Sequence, residues 1–282
     1  MSTGLLGNPV GTGDVRLVDV PALVARFVGN STGGGRVLPG VTSPAPDVTD
    51  ASAAATPVLD SPAWASLTGR HAHFALGRGL ARRYPADVSP FAALAAFDDE
   101  RAWRDLRDLY VEGEVAALDG PTGFSATSTP GWALAGVVPG VQLVSTDALV
   151  SAPADDAFLI GPADAAEAMD LVARTEPGPF RPRTYELGTY LGLRRDGHLV
   201  AMAGERLHPE GWTEISAVCT DPAYRRQGLA SRLVRAVADL VRSRGEVPFL
   251  HTSAGNTRAI ELYLAMGFEL RRTVEFASFR AV

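Results

Sequence analysis

The segment Ile215-Ser-Ala-Val-Cys-Thr-Asp-Pro-Ala-Tyr-Arg-Arg-Gln-Gly-Leu-Ala-Ser231 limits what this chain can fold into more than any other. Small and β-branched residues over 213–220 read as a strand, and Asp221-Pro222 ends it. A helix follows over 228–244, with Leu229, Leu233, Val237, Leu240 and Val241 recurring on one side. Gly245 stands where a glycine cap closes a helix. The backbone N–H groups that begin a helix have no partner within it, and the helix dipole adds to their pull on anions. Gly228 and Ala230 keep that entrance open, and Arg225 and Arg226 add charge. The segment therefore predicts a diphosphate cradle that uses no lysine. Taken alone, it is equally compatible with a Pro-turn and two solvated arginines.

The flanking pattern extends the prediction over residues 155–282. Strands are expected at 158–160, 191–194 and 199–205, the last two joined by the hairpin turn Asp196-Gly197. A helix is expected over 162–175, then a Pro-rich loop over 176–183. Beyond the central helix come a strand at 249–252, a helix over 257–266 closed by Gly267, and two final strands at 268–272 and 275–279. Residues 59–150 read as a smaller mixed α/β unit. Its expected helices lie after Ser61-Pro62 and over 98–109, with short strands near 73–76, 115–118, 132–134 and 141–144. Residues 1–58 read as an arm and linker. The stretch 30–57 has too few large apolar residues to offset its ordering entropy.

A second motif gives the cradle an identity. Asn256-x-x-Ala259-x-x-Leu262-Tyr263-x-x-x-Gly267-Phe268 follows Arg225-x-x-Gly228-x-Ala230. With the order of elements, the two motifs resemble the GNAT superfamily of N-acetyltransferases over residues 155–282. Residues 59–150 more loosely resemble the divergent partial copy that precedes the working domain in some members. The resemblance implies a mixed, mostly antiparallel α/β sheet in which two parallel strands splay apart to admit acetyl-CoA. It implies that the backbone of Val218, Cys219 and Thr220 meets the pantetheine and the acetyl carbonyl. Arg225, Arg226, Gln227, Gly228, Leu229, Ala230 and Ser231 would hold the pyrophosphate, and Asn256 the pantetheine arm. Tyr263 would protonate the leaving thiolate, an exchange between groups of comparable basicity. Glu214 is the expected base for the acceptor amine, with Glu205 the second choice. Direct transfer to a primary amine follows, the acceptor being a small molecule or a peptide. It would sit near Glu214, the 176–190 loop and a turn at 271–274. The reading from another class is a non-catalytic acyl-CoA-binding regulator, which would tolerate loss of Glu214 and Tyr263; both are present.

Composition narrows the remaining choices. All 26 basic residues are arginine, so a Walker P-loop, a protein kinase and a pyridoxal Schiff-base enzyme are excluded. The net charge of −6 argues against nucleic-acid binding through bulk charge. Cys219 is the single cysteine, which rules out an intrachain disulfide and a Cys-rich zinc site and fits a reducing cytoplasm. It is expected to be a packed thiol, not a nucleophile. His251, on the second splayed strand, is expected to be a structural histidine, the alternative being a place in the lining of the acceptor site. No metal is expected, since the five histidines form no ligand motif. No apolar run is long enough to cross a bilayer, and no leader pattern opens the chain. A homodimer is compatible with the sequence. Gly29-Asn-Ser-Thr-Gly33 mimics a nucleophile elbow, but the glycines that follow oppose the helix it needs. Gly77-Arg-Gly79 lacks the third glycine of a dinucleotide loop and reads as a turn.

Overall fold

A computed structural model describes residues 57–127 and 129–282. The expected arm, apart from residues 57 and 58, and the Gly29–Gly33 motif lie outside the described residues. In chain order the elements are α1 (Pro62–Thr68), β1 (Ala81–Arg83), β2 (Ala92–Leu94), α2 (Glu100–Arg107), β3 (Val115–Pro121), β4 (Trp132–Ser145) and β5 (Phe158–Leu159). Then follow α3 (Ala165–Thr175), β6 (Tyr190–Arg195), β7 (His198–Glu205), β8 (Trp212–Thr220), α4 (Leu229–Ser243), β9 (Val247–Ser253), α5 (Thr257–Met266) and β10 (Phe268–Ala281).

Eight strands form one sheet in the order β3-β10-β4-β9-β8-β7-β6-β5. Every pairing is antiparallel except β8 with β9. The β6–β7 hairpin turns at Asp196 and Gly197, both at positive φ (51° and 82°) as a tight hairpin turn requires. Helix α4 buries Leu229, Leu233, Val237 and Val241 against the sheet, in the cluster that also holds Leu193, Ile215 and Leu250. This is the stripe its 3.6-residue period predicts.

The expected partition at residue 151 does not describe this sheet. Strands β3 and β4 belong to the segment read as a separate unit, yet β4 lies between β9 and β10 and β3 pairs the outer edge of β10. Without β4, the last two C-terminal strands would not touch. The segment also has its own cluster, in which Trp103, Leu106 and Leu118 pack with Phe279 of β10. The edges of β9 and β10 cannot be left unpaired beside an apolar core, and the preceding segment fills that space.

Three local expectations need correction. Strands expected at 132–134 and 141–144 are one strand, β4, which runs through Pro139. The Pro139 carbonyl faces the β9 side, accepting from Ala254 N at 2.9 Å, so the missing N–H also points past the end of the regular β4–β9 pairing. The two final strands are likewise one, β10, and the turn expected at 271–274 is a register shift between Leu270 and Arg272. Residues 73–76 form no strand beyond an isolated bridge from Leu76 to Arg83, since His71 and Phe74 are held in turns. Gly77 and Gly79 lie in a turn whose Leu80 N–H donates to Asp105 at 2.7 Å.

Candidate active site

Strands β8 and β9 pair only from Trp212–Val247 to Ile215–Leu250. Past that point β8 stays with β7 and β9 leaves with β4. A bulge in β8 helps to open the wedge. Register against β7 shifts between Gly204–Ser216 and Met202–Cys219, and Ala217 is left at φ 52°. A bulge leaves backbone groups out of the ladder and sharpens the local twist. A non-glycine residue at positive φ is uncommon and marks a place where surroundings impose geometry. The wedge holds a cavity of about 230 Å³, with Ala217 and Val218 on one lip, Thr252 and Ser253 on the other, and Asn256 and Tyr263 from α5.

At the end of β8, Asp221 caps a short turn by accepting from Ala223 N at 3.0 Å, and Arg225 Nε reaches the Thr220 carbonyl at 3.3 Å. Arg226 and Gly228 then take φ of 63° and 75°. Left-handed residues so placed curl successive N–H groups toward one concavity. Gly228 has no clash around its missing Cβ, and no side chain caps α4. The first-turn N–H groups of Leu229, Ala230 and Ser231 are therefore available to an anion. Arg225, Arg226 and Gln227 are exposed beside them.

The structure places the expected residues unevenly. Val218, Asn256 and Tyr263 line the cavity. Asn256 also caps α5, its Oδ1 accepting from Ala259 N at 3.3 Å. Tyr263 is buried edge-on to Phe268, and burial, helped by Cys219, pushes its phenol up to about 12. It is held neutral and keeps its proton. Cys219 and Thr220 are not lining residues, whereas Ser216 and Ala217 are. The resemblance implied backbone groups of three consecutive residues, and the bulge at Ala217 interrupts the regular strand there. Burial also lifts the Cys219 thiol to about 11, which leaves it a poor nucleophile.

Glu214 departs most from expectation. Its carboxylate is fully buried and does not line the cavity. Arg206 clamps it with two hydrogen bonds of 2.8 and 2.5 Å, and His251 Nδ1 lies at 2.8 Å from Oε1. Burial alone would raise its pKa, but the charge and hydrogen bonds of Arg206, then His251, outweigh burial and hold the carboxyl at about 2. A carboxylate so stabilised and enclosed is a weak direct base. Glu205 is also unsuited: it is buried, paired with Arg244 at 2.9 Å, and outside the cavity.

His251 does line the cavity. Its Nδ1–H donates to Glu214, leaving Nε2 as the acceptor, 3.0 Å from the Gln142 amide nitrogen. Gln142 is fixed in turn by Leu59 O at 2.9 Å and Arg271 at 2.7 Å. His251 thus has a Glu behind it and, in front, a lone pair that Gln142 occupies; with that amide displaced, the Glu–His order is the one that orients an imidazole for proton transfer. Sequence reading missed Arg206 and Gln142, and it placed a lining position for His251 second to a structural one. A histidine on the strand beside its glutamate, 37 residues on, leaves no spacing signal. The inner end of the cavity is walled by Phe91, Leu118, Val138 and Phe276, three of them from the segment before residue 151. Among the described residues, no group of His, Cys, Asp and Glu could hold a metal ion, and no helix is long and apolar enough to cross a membrane.

Comparison with known proteins agrees with this geometry. A family model described as FR47-like protein matches residues 190–277. The N-alpha-acetyltransferase RimI of Mycobacterium tuberculosis is 35% identical over 118 residues, covering 38% of this chain and 73% of that protein. A crystal structure assigned to an acetyltransferase of the GNAT family from Novosphingobium aromaticivorans is 35% identical with a TM-score of 0.73, covering 79% of this chain and 98% of its own. Coverage of that extent takes in the segment before residue 151 as well. A GCN5-related N-acetyltransferase from Kribbella flavida shares the fold at 19% identity and a TM-score of 0.53, covering 78% of this chain and 95% of its own.

Proposed function

The chain belongs to the GNAT superfamily of N-acetyltransferases, and from that premise we propose that it transfers acetyl directly from acetyl-CoA to a primary amine. The observation that carries the proposal is the coincidence of splay, bulge and uncapped helix start at one end of β8. The N–H groups from Arg226 to Ser231 hold the pyrophosphate. Val218 and Asn256 meet the pantetheine arm in the wedge, next to the Cys219 and Thr220 backbone. The donor supplies an acetyl thioester whose carbonyl oxygen gains charge during transfer. The backbone freed by the bulge at Ala217 and Val218 stabilises that charge.

The acceptor nitrogen attacks the acetyl carbon, an N–C bond forms and the C–S bond breaks. Tyr263 donates its proton to the departing sulfur. The amine proton passes to His251 Nε2, for which Gln142 must yield, and Glu214 stabilises the imidazolium that results. Glu214 is thus a positioning residue, with His251 the proton acceptor. RimI is an N-alpha-acetyltransferase, which makes an α-amine the first acceptor to try. The test is thiol release from acetyl-CoA across a panel of α- and side-chain amines. We expect release with at least one amine; acetyl-CoA binding with turnover of none would leave only a binding protein.

A further inference from the structure

Arg181 is a cation lining the acceptor cavity, and among the described residues no ion pair balances it. It lines the cavity beside Glu176, Pro177, Gly178 and Pro179. Its Nε is buried and has no hydrogen-bond partner. Among the described residues, no carboxylate lies within ion-pair distance, in contrast to neighbouring Arg183, which meets Asp87 and Glu186 at 3.1 and 2.7 Å. Burial is the one influence on its guanidinium, which it pushes below the ordinary arginine value. A half-buried charge without a partner is costly unless something brings a counter-charge.

The loop that carries it is built to stay in place. Thr184 Oγ1 accepts from Arg181 N at 2.7 Å and donates to Val88 O at 2.7 Å. Phe180, next in the chain, is buried edge-on to Tyr190, and Pro177 and Pro179 restrict the approach. Glu176, which lines the same cavity, also lacks an ion-pair partner among the described residues. The loop therefore offers one fixed positive charge and one negative charge. Beyond them Phe91, Val138 and Phe276 give the chamber an apolar wall, beside Arg206, which is paired with Glu214, and His251.

We propose that the acceptor is a free α-amino acid with an apolar side chain, its carboxylate held by Arg181 while its amino group faces the wedge. Glu176 attracts the amine in its incoming ammonium form, and the side chain fills the chamber. The product is the N-acetylated amino acid with free CoA. A guanidinium and a carboxylate pair in bidentate fashion, which an amide or a bare amine cannot reproduce. This inference rests on the transferase reading above.

The test compares acceptors matched in everything but the carboxylate. Thiol release is measured with phenylalanine, phenylalaninamide and phenethylamine, and with leucine and isopentylamine, on the full chain. Phenylalanine or leucine should show a KM at least tenfold below its decarboxylated partner. Arg181→Gln should remove that preference, leaving KM for acetyl-CoA and for phenethylamine within twofold, and Arg181→Lys should restore part of it. Preserved acetyl-CoA affinity reports that each variant is folded. Equal or better turnover of phenethylamine or phenylalaninamide would overturn the inference alone, as would turnover confined to amines outside these sets. Acetyl-CoA binding with no thiol release for any amine would overturn the transferase reading, and this inference with it.

Discussion

Arg206 and Glu214 form a pair whose removal tests how the site is held. Glu214 is fully buried and Arg206 nearly so, and Arg206 also stacks its guanidinium over Phe91 at 4.9 Å. Breaking a buried pair on one side leaves the other charge uncompensated, at a cost of about 3–5 kcal/mol. Glu214→Gln should therefore lower unfolding stability by about that amount in urea titration; a loss under about 1 kcal/mol would mean Arg206 is solvated in place. Tyr263→Phe makes the opposite prediction, since the ring and its packing on Phe268 survive. There kcat should fall by roughly 10²–10⁴ while KM for acetyl-CoA stays within about twofold. An unchanged kcat in steady-state assays would remove Tyr263 from the mechanism. The contrast also shows which residues a sequence discloses. Gly228, Asn256 and Tyr263 sit in local motifs, where spacing on one helix fixes what they face. Arg206, Gln142 and His251 act through partners on other strands, and Glu214 was read from a family spacing that says nothing of what encloses it.

At the scale of elements, the decisive feature is the insertion of β4 between β9 and β10. Strand and helix positions from residue 155 onward were legible because their periods are local. Which strand lies beside which was not, because pairing is set by edges far apart in sequence. The apparent break at residue 151 reflects a change of pattern along the chain, while the sheet passes through it. Contacts at that join are extensive. Gly267 leaves no room for a Cβ against the backbone of Ala148 and Leu149, and its carbonyl accepts from Thr146 N at 3.0 Å. Arg242 on α4 donates to Leu149 O and Thr146 O at 2.5 and 2.8 Å. A fragment of residues 151–282 should therefore fail to form a cooperative fold, because β10 loses both neighbours and β9 one. Near-ultraviolet circular dichroism and urea unfolding would show it: a sigmoidal transition like that of the full chain would mean the C-terminal elements close on themselves.

Across the whole molecule, the seam between the segment before residue 151 and the C-terminal strands carries two neutral histidines. His71 lies between the Tyr84 hydroxyl and the Leu187 carbonyl, both at 2.9 Å. The His208 ring packs 4.9 Å from it and its Nδ1 bonds Thr213 Oγ1 at 3.1 Å, while the His208 backbone N–H donates to Ser66 Oγ on α1 at 2.8 Å. Burial chiefly, with nearby cations, holds His71 at about 4 and His208 at about 3. An unfolded histidine titrates near 6.5, so below that pH the unfolded chain binds protons the folded one refuses. Stability is thus complete above pH ~6.5 and is lost progressively as pH falls through the folded values. For His71 alone the loss amounts to about 3 kcal/mol once pH is below ~4. Glu214 acts in the same sense, but only below ~4.5 where an unfolded carboxylate begins to protonate. Asp119, whose carboxyl burial raises, acts in the opposite sense and blunts the total. Melting temperature should therefore drop between pH 6.5 and 4.5 in a manner that follows the histidines. The double variant His71→Gln, His208→Gln should flatten that drop even if it melts lower at neutral pH. A slope unchanged in the double variant would place the acid sensitivity elsewhere, and would mean that this seam stays closed when its histidines are charged.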